Sequence, residues 1–280
     1  DEYTLKFIRA AVQGEQLGHN AQGVPDILVV GLSSHDYVNH LFGPESRQSH
    51  DHLLRLDQAL ADFLVFLEKY LGLENVAMVV TADHGFSNSP EHCSEEGLDS
   101  GRIDSYQMLH ELNEFLSSRY GPGQYTLSWL NPTIYLNYQW IDQKGLDRVG
   151  VEQSAVEFLL DYPGIDTVFS RGQLEDGELP DTVLGKQVGR SWHARRSGDL
   201  FLVQRPCWYL LGEPNALAAT HGSPHAYDTK VPLIFLGQRF KSGTYESHAR
   251  VVDIVPTIAR LLRLGYPSSS KGKALIEIFK

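Results

Sequence analysis

Cysteine and basic charge are scarce in this sequence, and each shortage excludes something. Two cysteines, Cys93 and Cys207, stand among 280 residues. They are too few and too far apart for a cysteine-rich zinc module, and they leave a single disulfide or two free thiols open. Lys and Arg number 24 against 35 Asp and Glu, a formal net charge of −11. So acidic a surface repels polyanions and argues against a nucleic-acid coat protein. It does not argue against a small phosphate ester held at a local metal charge. No stretch of about 18 apolar residues occurs, so no membrane-spanning helix is expected. Internal repeats and low-complexity segments are lacking too. No secretory leader opens the chain, but its first residue is Asp1 rather than Met, so that absence carries no information.

What is present is an ordinary globular mix, 42% hydrophobic and 21% charged, in a chain long enough to bury a sizeable core. Helical spacing of apolar residues predicts a helix over 2–17, stopped by Gly18. Residues 27–31 (ILVVG) form a short apolar run between turn residues, which reads as a buried strand. A long helix is expected over 45–71, with Leu53, Leu56, Leu60, Phe63, Leu64 and Leu67 on one stripe and Gly72 as its stop. Residues 76–81 (VAMVVT) read as a second buried strand. Two successive strand–helix units argue for an α/β fold, a mainly parallel sheet with helices on both faces.

The middle reads differently. Helices are expected over 102–119 and 150–161, and strands over 133–137, 166–169 and 200–203. Residues 95–215 are therefore taken as an α+β insertion, flanked by core segments 1–94 and 216–280. The last part returns to the first style, with a strand over 231–237 and an amphipathic helix over 252–264 that carries Pro256 in its first turns.

Twelve histidines are present, and some sit beside aspartates at strand ends. Asp36 and His40 are spaced i, i+4, which puts both side chains on one face of a helical turn. An Asp oxygen and a His nitrogen there could hold a zinc-like ion, or serve as an N-cap and a surface histidine. Asp83 and His84 follow the 76–81 strand directly, where open sheets bind ligands, and Gly85 permits the sharp turn that adjacent ligands need. His221-Gly222 precedes the 231–237 strand, with His225 close by. Spacing alone leaves each pair open to a plain loop reading.

Together, in chain order, the motifs resemble the alkaline phosphatase superfamily, specifically its type I phosphodiesterase/nucleotide pyrophosphatase branch. The similarity runs from residues 26–30 through Asp36-Tyr37-Val38-Asn39-His40 and Thr81-Ala82-Asp83-His84-Gly85. It reappears in Arg196-Ser197-Gly198-Asp199-Leu200, in residues 220–235 from Thr220-His221-Gly222, and in residues 252–258. Asn39 stands where relatives often carry glycine. The resemblance implies two zinc ions, with Asp36, His40 and His221 holding the first and Asp83 and His84 the second. It implies a further Asp ligand and a Thr or Ser nucleophile on an N-terminal segment ahead of Asp36. Only 35 residues precede Asp36, and they read as one helix and one strand. The nucleophile is thus expected outside this chain, on a segment that would act as its partner.

The implied function is hydrolysis of small phosphate esters, as an alkaline phosphatase or phosphodiesterase, in the periplasm or outside the cell. The isolated chain is expected to be inactive. Tyr227, Asp228 and His225 are candidates for supporting His221, since ligating histidines usually donate to a carboxylate or carbonyl. His193, Arg195, Arg196 and Lys230 could approach a phosphate, but the two arginines read far more readily as turn or sheet-edge residues. Two alternatives stand beside this reading. One is a sulfatase or phosphonate hydrolase on the same metal scaffold. The other is a non-catalytic metal-binding fragment or pseudoenzyme.

Overall fold

A computed structural model describes residues 1–280. Eight strands are formed: β1 (Met78–Thr81), β2 (Gly101–Asp104), β3 (Thr126–Leu130), β4 (Thr133–Leu136), β5 (Ile165–Ser170), β6 (Leu200–Gln204), β7 (Trp208–Leu211) and β8 (Leu233–Leu236). β1 pairs antiparallel with β8, and β2 pairs parallel with β7. The remaining four form an antiparallel sheet in the order β3-β4-β6-β5. The chain divides into two compact units, one of residues 1–37, 47–83 and 231–280, the other of residues 38–46 and 84–230.

In the first unit, helix Glu2–Gly14 turns Leu5, Ile8 and Val12 to one side at spacings of three and four. They pack with Phe63 and Leu67 of helix Arg47–Leu71. These five side chains are at most 6% exposed, and burying each is worth about 1.5–3 kcal/mol relative to leaving it in water. The β1–β8 ladder is closed at its end by Thr81, whose hydroxyl donates to the Pro232 carbonyl at 2.8 Å. A second apolar cluster joins Phe240, Leu275 and Ile278. The expected closing helix is present as Ile254–Leu261, with Pro256 buried in its first turn.

The strand expected over 27–31 does not form. Ile27 is 61% exposed and Val29 89%, and the segment joins no ladder. An apolar run supplies side chains to bury, but a strand also needs a neighbour's N–H and C=O groups. The expected dominance of parallel pairing is likewise absent from these ladders, of which only β2–β7 is parallel. Alternation of strands and helices along a chain does not fix which strands become neighbours.

In the second unit, Met108, Leu112 and Leu116 make a fully buried stripe on helix Ser105–Tyr120. They join Ile134 and Leu136 of β4, Leu200 and Leu202 of β6, and Val151, Ala155 and Leu159 of helix Arg148–Leu160. β6 is buried on both faces. Its alternate residues Phe201 and Val203 enter another cluster with Phe169, Leu174 and Val188, which explains why its sequence is continuously apolar. The helix begins three residues later than expected because Asp104 ends β2 and caps it. Its carboxylate accepts the N–H groups of Tyr106 and Gln107, each at 3.0 Å.

The Arg196-Ser197-Gly198-Asp199-Leu200 motif fastens this sheet. Asp199 is 4% exposed, and its carboxylate accepts the Leu136 N–H at 2.7 Å and the Arg171 Nε–H at 2.6 Å. A Cβ on Gly198 would lie 2.7 Å from the Ile134 carbonyl oxygen, so only glycine lets the chain pass.

Cys93 and Cys207 form a disulfide across 114 residues, which resolves the choice that the sequence left open. A crosslink of this span removes conformational entropy from the unfolded chain and is worth about 2–4 kcal/mol. The double variant Cys93→Ser/Cys207→Ser should therefore unfold about 5–15 °C lower in a thermal melt. An unchanged midpoint would mean that the crosslink does not support the fold.

Candidate metal centre

Three histidines far apart in sequence meet in the second unit. His40 lies in the last turn of helix Ser34–Phe42, where helical carbonyls lack intrahelical partners. Its carbonyl accepts the Ala218 N–H at 2.8 Å, and its Nδ1 lies 2.9 Å from the Ala219 carbonyl oxygen. A carbonyl oxygen can only accept, so Nδ1 carries the proton and Nε2 keeps the lone pair. The strand of backbone that orients His40 thus leads directly to Thr220 and His221. The His40 and His221 ring centroids are 5.0 Å apart.

His84 is set by its own turn. Its Nδ1 donates to the Gly85 carbonyl at 3.0 Å, which again leaves Nε2 as the lone-pair nitrogen. Gly85 donates its N–H to the Asp228 carbonyl at 2.8 Å. A Cβ on Gly85 would sit 2.0 Å from the Tyr227 carbonyl oxygen, so this approach admits glycine alone. The turn lays the His84 ring against that of His221, with centroids 3.4 Å apart and planes 12° from parallel. Phe86 fills the space among all three, 5.0 Å from His40, 5.7 Å from His84 and 5.0 Å from His221. Sequence reasoning missed Phe86. Its only signal was its place directly after Asp-His-Gly.

The predicted ligands come together unevenly. His40, His84 and His221, drawn from both expected zinc sites, adjoin one another. Asp36 lies one turn before His40 on the same helix. The three histidines fit a zinc-like ion chemically: such ions take imidazole nitrogens, and His40 and His84 have theirs in a fixed tautomer. Asp83 is exposed at the exit of β1.

The expected supporting residues act through the backbone. Asp228 is 4% exposed, and one carboxylate oxygen accepts both the N–H and the hydroxyl of Ser223, at 2.7 and 2.6 Å. Burial pushes its carboxyl above the usual range, and the Ser223 bonds pull the other way. The result is a clamp on the turn that follows His221. His225 lies within this same turn, and its Nε2 donates to the Gln204 carbonyl at 2.7 Å. Tyr227 contributes its carbonyl to the Gly85 approach, and burial raises its phenol.

Comparison with known proteins gives the family of the chain. The sequence profile of the family described as type I phosphodiesterase / nucleotide pyrophosphatase matches residues 4–228. A protein of Myroides odoratus named calcium-transporting ATPase is 32% identical over 274 residues, 98% of this chain and 50% of that protein. Alkaline phosphatase PhoV of Synechococcus elongatus is 30% identical over 280 residues, 100% of this chain and 49% of that protein. The crystal structure of alkaline phosphatase PafA superposes with a TM-score of 0.88 at 29% identity, covering 99% of this chain and 52% of that one. That likeness bears out the α/β, alkaline phosphatase-like fold. The chain spans about half the length of the curated relatives it matches.

Proposed function

The chain belongs to the type I phosphodiesterase/nucleotide pyrophosphatase family of the alkaline phosphatase superfamily, and from that membership we propose that the protein carrying it hydrolyses phosphate esters at a two-zinc centre. The observation that carries the reading is the cluster of His40, His84 and His221, two of them with Nδ1 committed to a backbone carbonyl. The names of the relatives share one chemistry. Alkaline phosphatase, nucleotide pyrophosphatase and ATPase all cleave a bond between phosphorus and oxygen.

In this reading Asp36, His40 and His221 hold one zinc, and Asp83 and His84 hold the other. Zinc held there would supply Lewis acidity for phosphoryl chemistry. The protein's own part is positioning. Ala219 and Gly85 aim the imidazoles, Asp228 and Ser223 hold the turn after His221, and Phe86 packs against the three rings. The Thr or Ser nucleophile and a further Asp ligand belong to a segment outside this chain, a reading supported by the roughly half-length match to relatives.

The 95–215 insertion is proposed to decorate a core of 1–94 and 216–280. Its cluster from Ile103 to Leu210 gives it an apolar interior of its own. No helix is long and apolar enough to cross a membrane, and the disulfide suits an oxidising compartment, so export to the periplasm or beyond is the proposed location.

The test uses the full protein. Zinc content by mass spectrometry is expected near two ions per chain, with turnover of p-nitrophenyl phosphate or bis-p-nitrophenyl phosphate. The preferred ester names the subclass. Absence of bound metal, or of turnover of both esters, would overturn the proposal.

A further inference from the structure

A cavity of about 450 Å³ opens in the second unit beside the turn that follows His221. That size suits a small organic ligand. Residues 130–133, helix Val183–Ser191 and residues 222–224 contribute to its walls. Two arginines, Arg190 and Arg196, are among its lining residues, and no Asp or Glu is. Neither arginine is paired with a carboxylate among the described residues. In a chain of net charge −11, an all-cationic recess is a local reversal of sign, and a low-dielectric wall sharpens its field. Val188 and Phe201, both buried, supply such a wall.

The cavity is built to keep its shape. Arg196 is fixed by its main chain, its N–H donating to the His193 carbonyl at 3.0 Å and its own carbonyl accepting the Tyr135 hydroxyl at 2.7 Å. The backbone that carries the Arg196 side chain is therefore anchored. The opposite wall, Gly222 to Pro224, is the turn that Asp228 clamps through Ser223. Gln187 adds an amide to the lining. Guanidinium forks match the geometry of phosphate and carboxylate oxygens.

We propose that this cavity is an oxyanion subsite. It takes a second anionic group of the ester being hydrolysed, a phosphate or carboxylate on its leaving group. The inference rests on the phosphate-ester reading for its place in catalysis, and on the lining charges alone for its ligand. Free inorganic phosphate has the same chemistry and is distinguished by experiment.

The test compares the full protein with its Arg190→Gln/Arg196→Gln variant. With phenyl phosphate and 4-carboxyphenyl phosphate as substrates, the ratio of kcat/KM for the carboxylated over the plain ester should fall about tenfold in the variant. Inorganic phosphate is also titrated calorimetrically into both proteins after metal removal. A tenfold weaker phosphate affinity in the variant, with an unchanged ester ratio, assigns the cavity to free phosphate. An unchanged ratio together with unchanged phosphate binding overturns the subsite. Should the unaltered protein hydrolyse neither ester, the phosphate-ester reading falls, and the titration alone decides whether the cavity binds an oxyanion.

Discussion

Replacing His221 with alanine is expected to lower ester hydrolysis by about 1,000-fold in the full protein, a loss of roughly 4 kcal/mol in transition-state stabilisation. His221 touches every other member of the cluster. Its ring stacks on His84 at 3.4 Å, lies 5.0 Å from His40, and rests against Phe86. Removing it takes away a proposed zinc ligand and the surface that orients the neighbouring imidazole. His84→Ala should cost a comparable amount. The double variant should cost little more than either alone, because groups that serve one reaction as a unit are strongly non-additive. Steady-state kinetics with zinc analysis on all three variants reads both effects. Losses that multiply in the double variant would mean that the two histidines act independently, and a His221→Ala enzyme within tenfold of normal would remove that residue from the metal centre.

The second large effect falls on a residue with no functional atom. Gly85→Ala adds one methyl group that must occupy space 2.0 Å from the Tyr227 carbonyl oxygen. Contact at ordinary distance requires the turn to move by about 1 Å, and a shift of that size in an active site can cost about 100-fold in rate. Overpacking also destabilises, by about 1–3 kcal/mol, and the Gly85 N–H bond to the Asp228 carbonyl is broken or stretched. The expected result is a lower Tm, reduced zinc content and activity down about 100-fold. A folded Gly85→Ala protein with normal zinc and normal rate would show that the close approach to Tyr227 is not what places His84.

These two residues also show what could be read in advance. The Asp83-His84-Gly85 sequence announced a turn at the end of a strand, and β1 does end at Thr81. The reason that only glycine fits, a carbonyl more than 140 residues away, is a tertiary fact. No local pattern contains it. The same division runs through the fold. Helix Arg47–Leu71 and strand β6 were legible because a helical stripe and a continuously apolar run are local signals. β2, with the sequence Gly-Arg-Ile-Asp, has no strand pattern and exists because β7 lies beside it. Residues 27–31 have the pattern and lack the neighbour. Arg196 read foremost as a turn or sheet-edge residue, and only the walls assembled around it make a recess of one charge.

β6 carries a consequence for the order in which the molecule can be made. It is the strand both β4 and β5 pair with, and it begins at residue 200. A chain emerging from the ribosome therefore presents β3, β4 and β5 with their central partner still unsynthesised. Until it arrives, Val168 and Phe169 of β5 have no strand beside them, and the β3–β4 pair that carries Ile134 and Leu136 has one edge open. Pairings between such distant segments are slow to form and leave apolar surface open meanwhile. Cys207, only three residues past β6, follows almost at once, so the thiol that meets Cys93 is delivered just as the sheet becomes able to close. The four-stranded sheet can therefore be completed only once the chain has been made through residue 204.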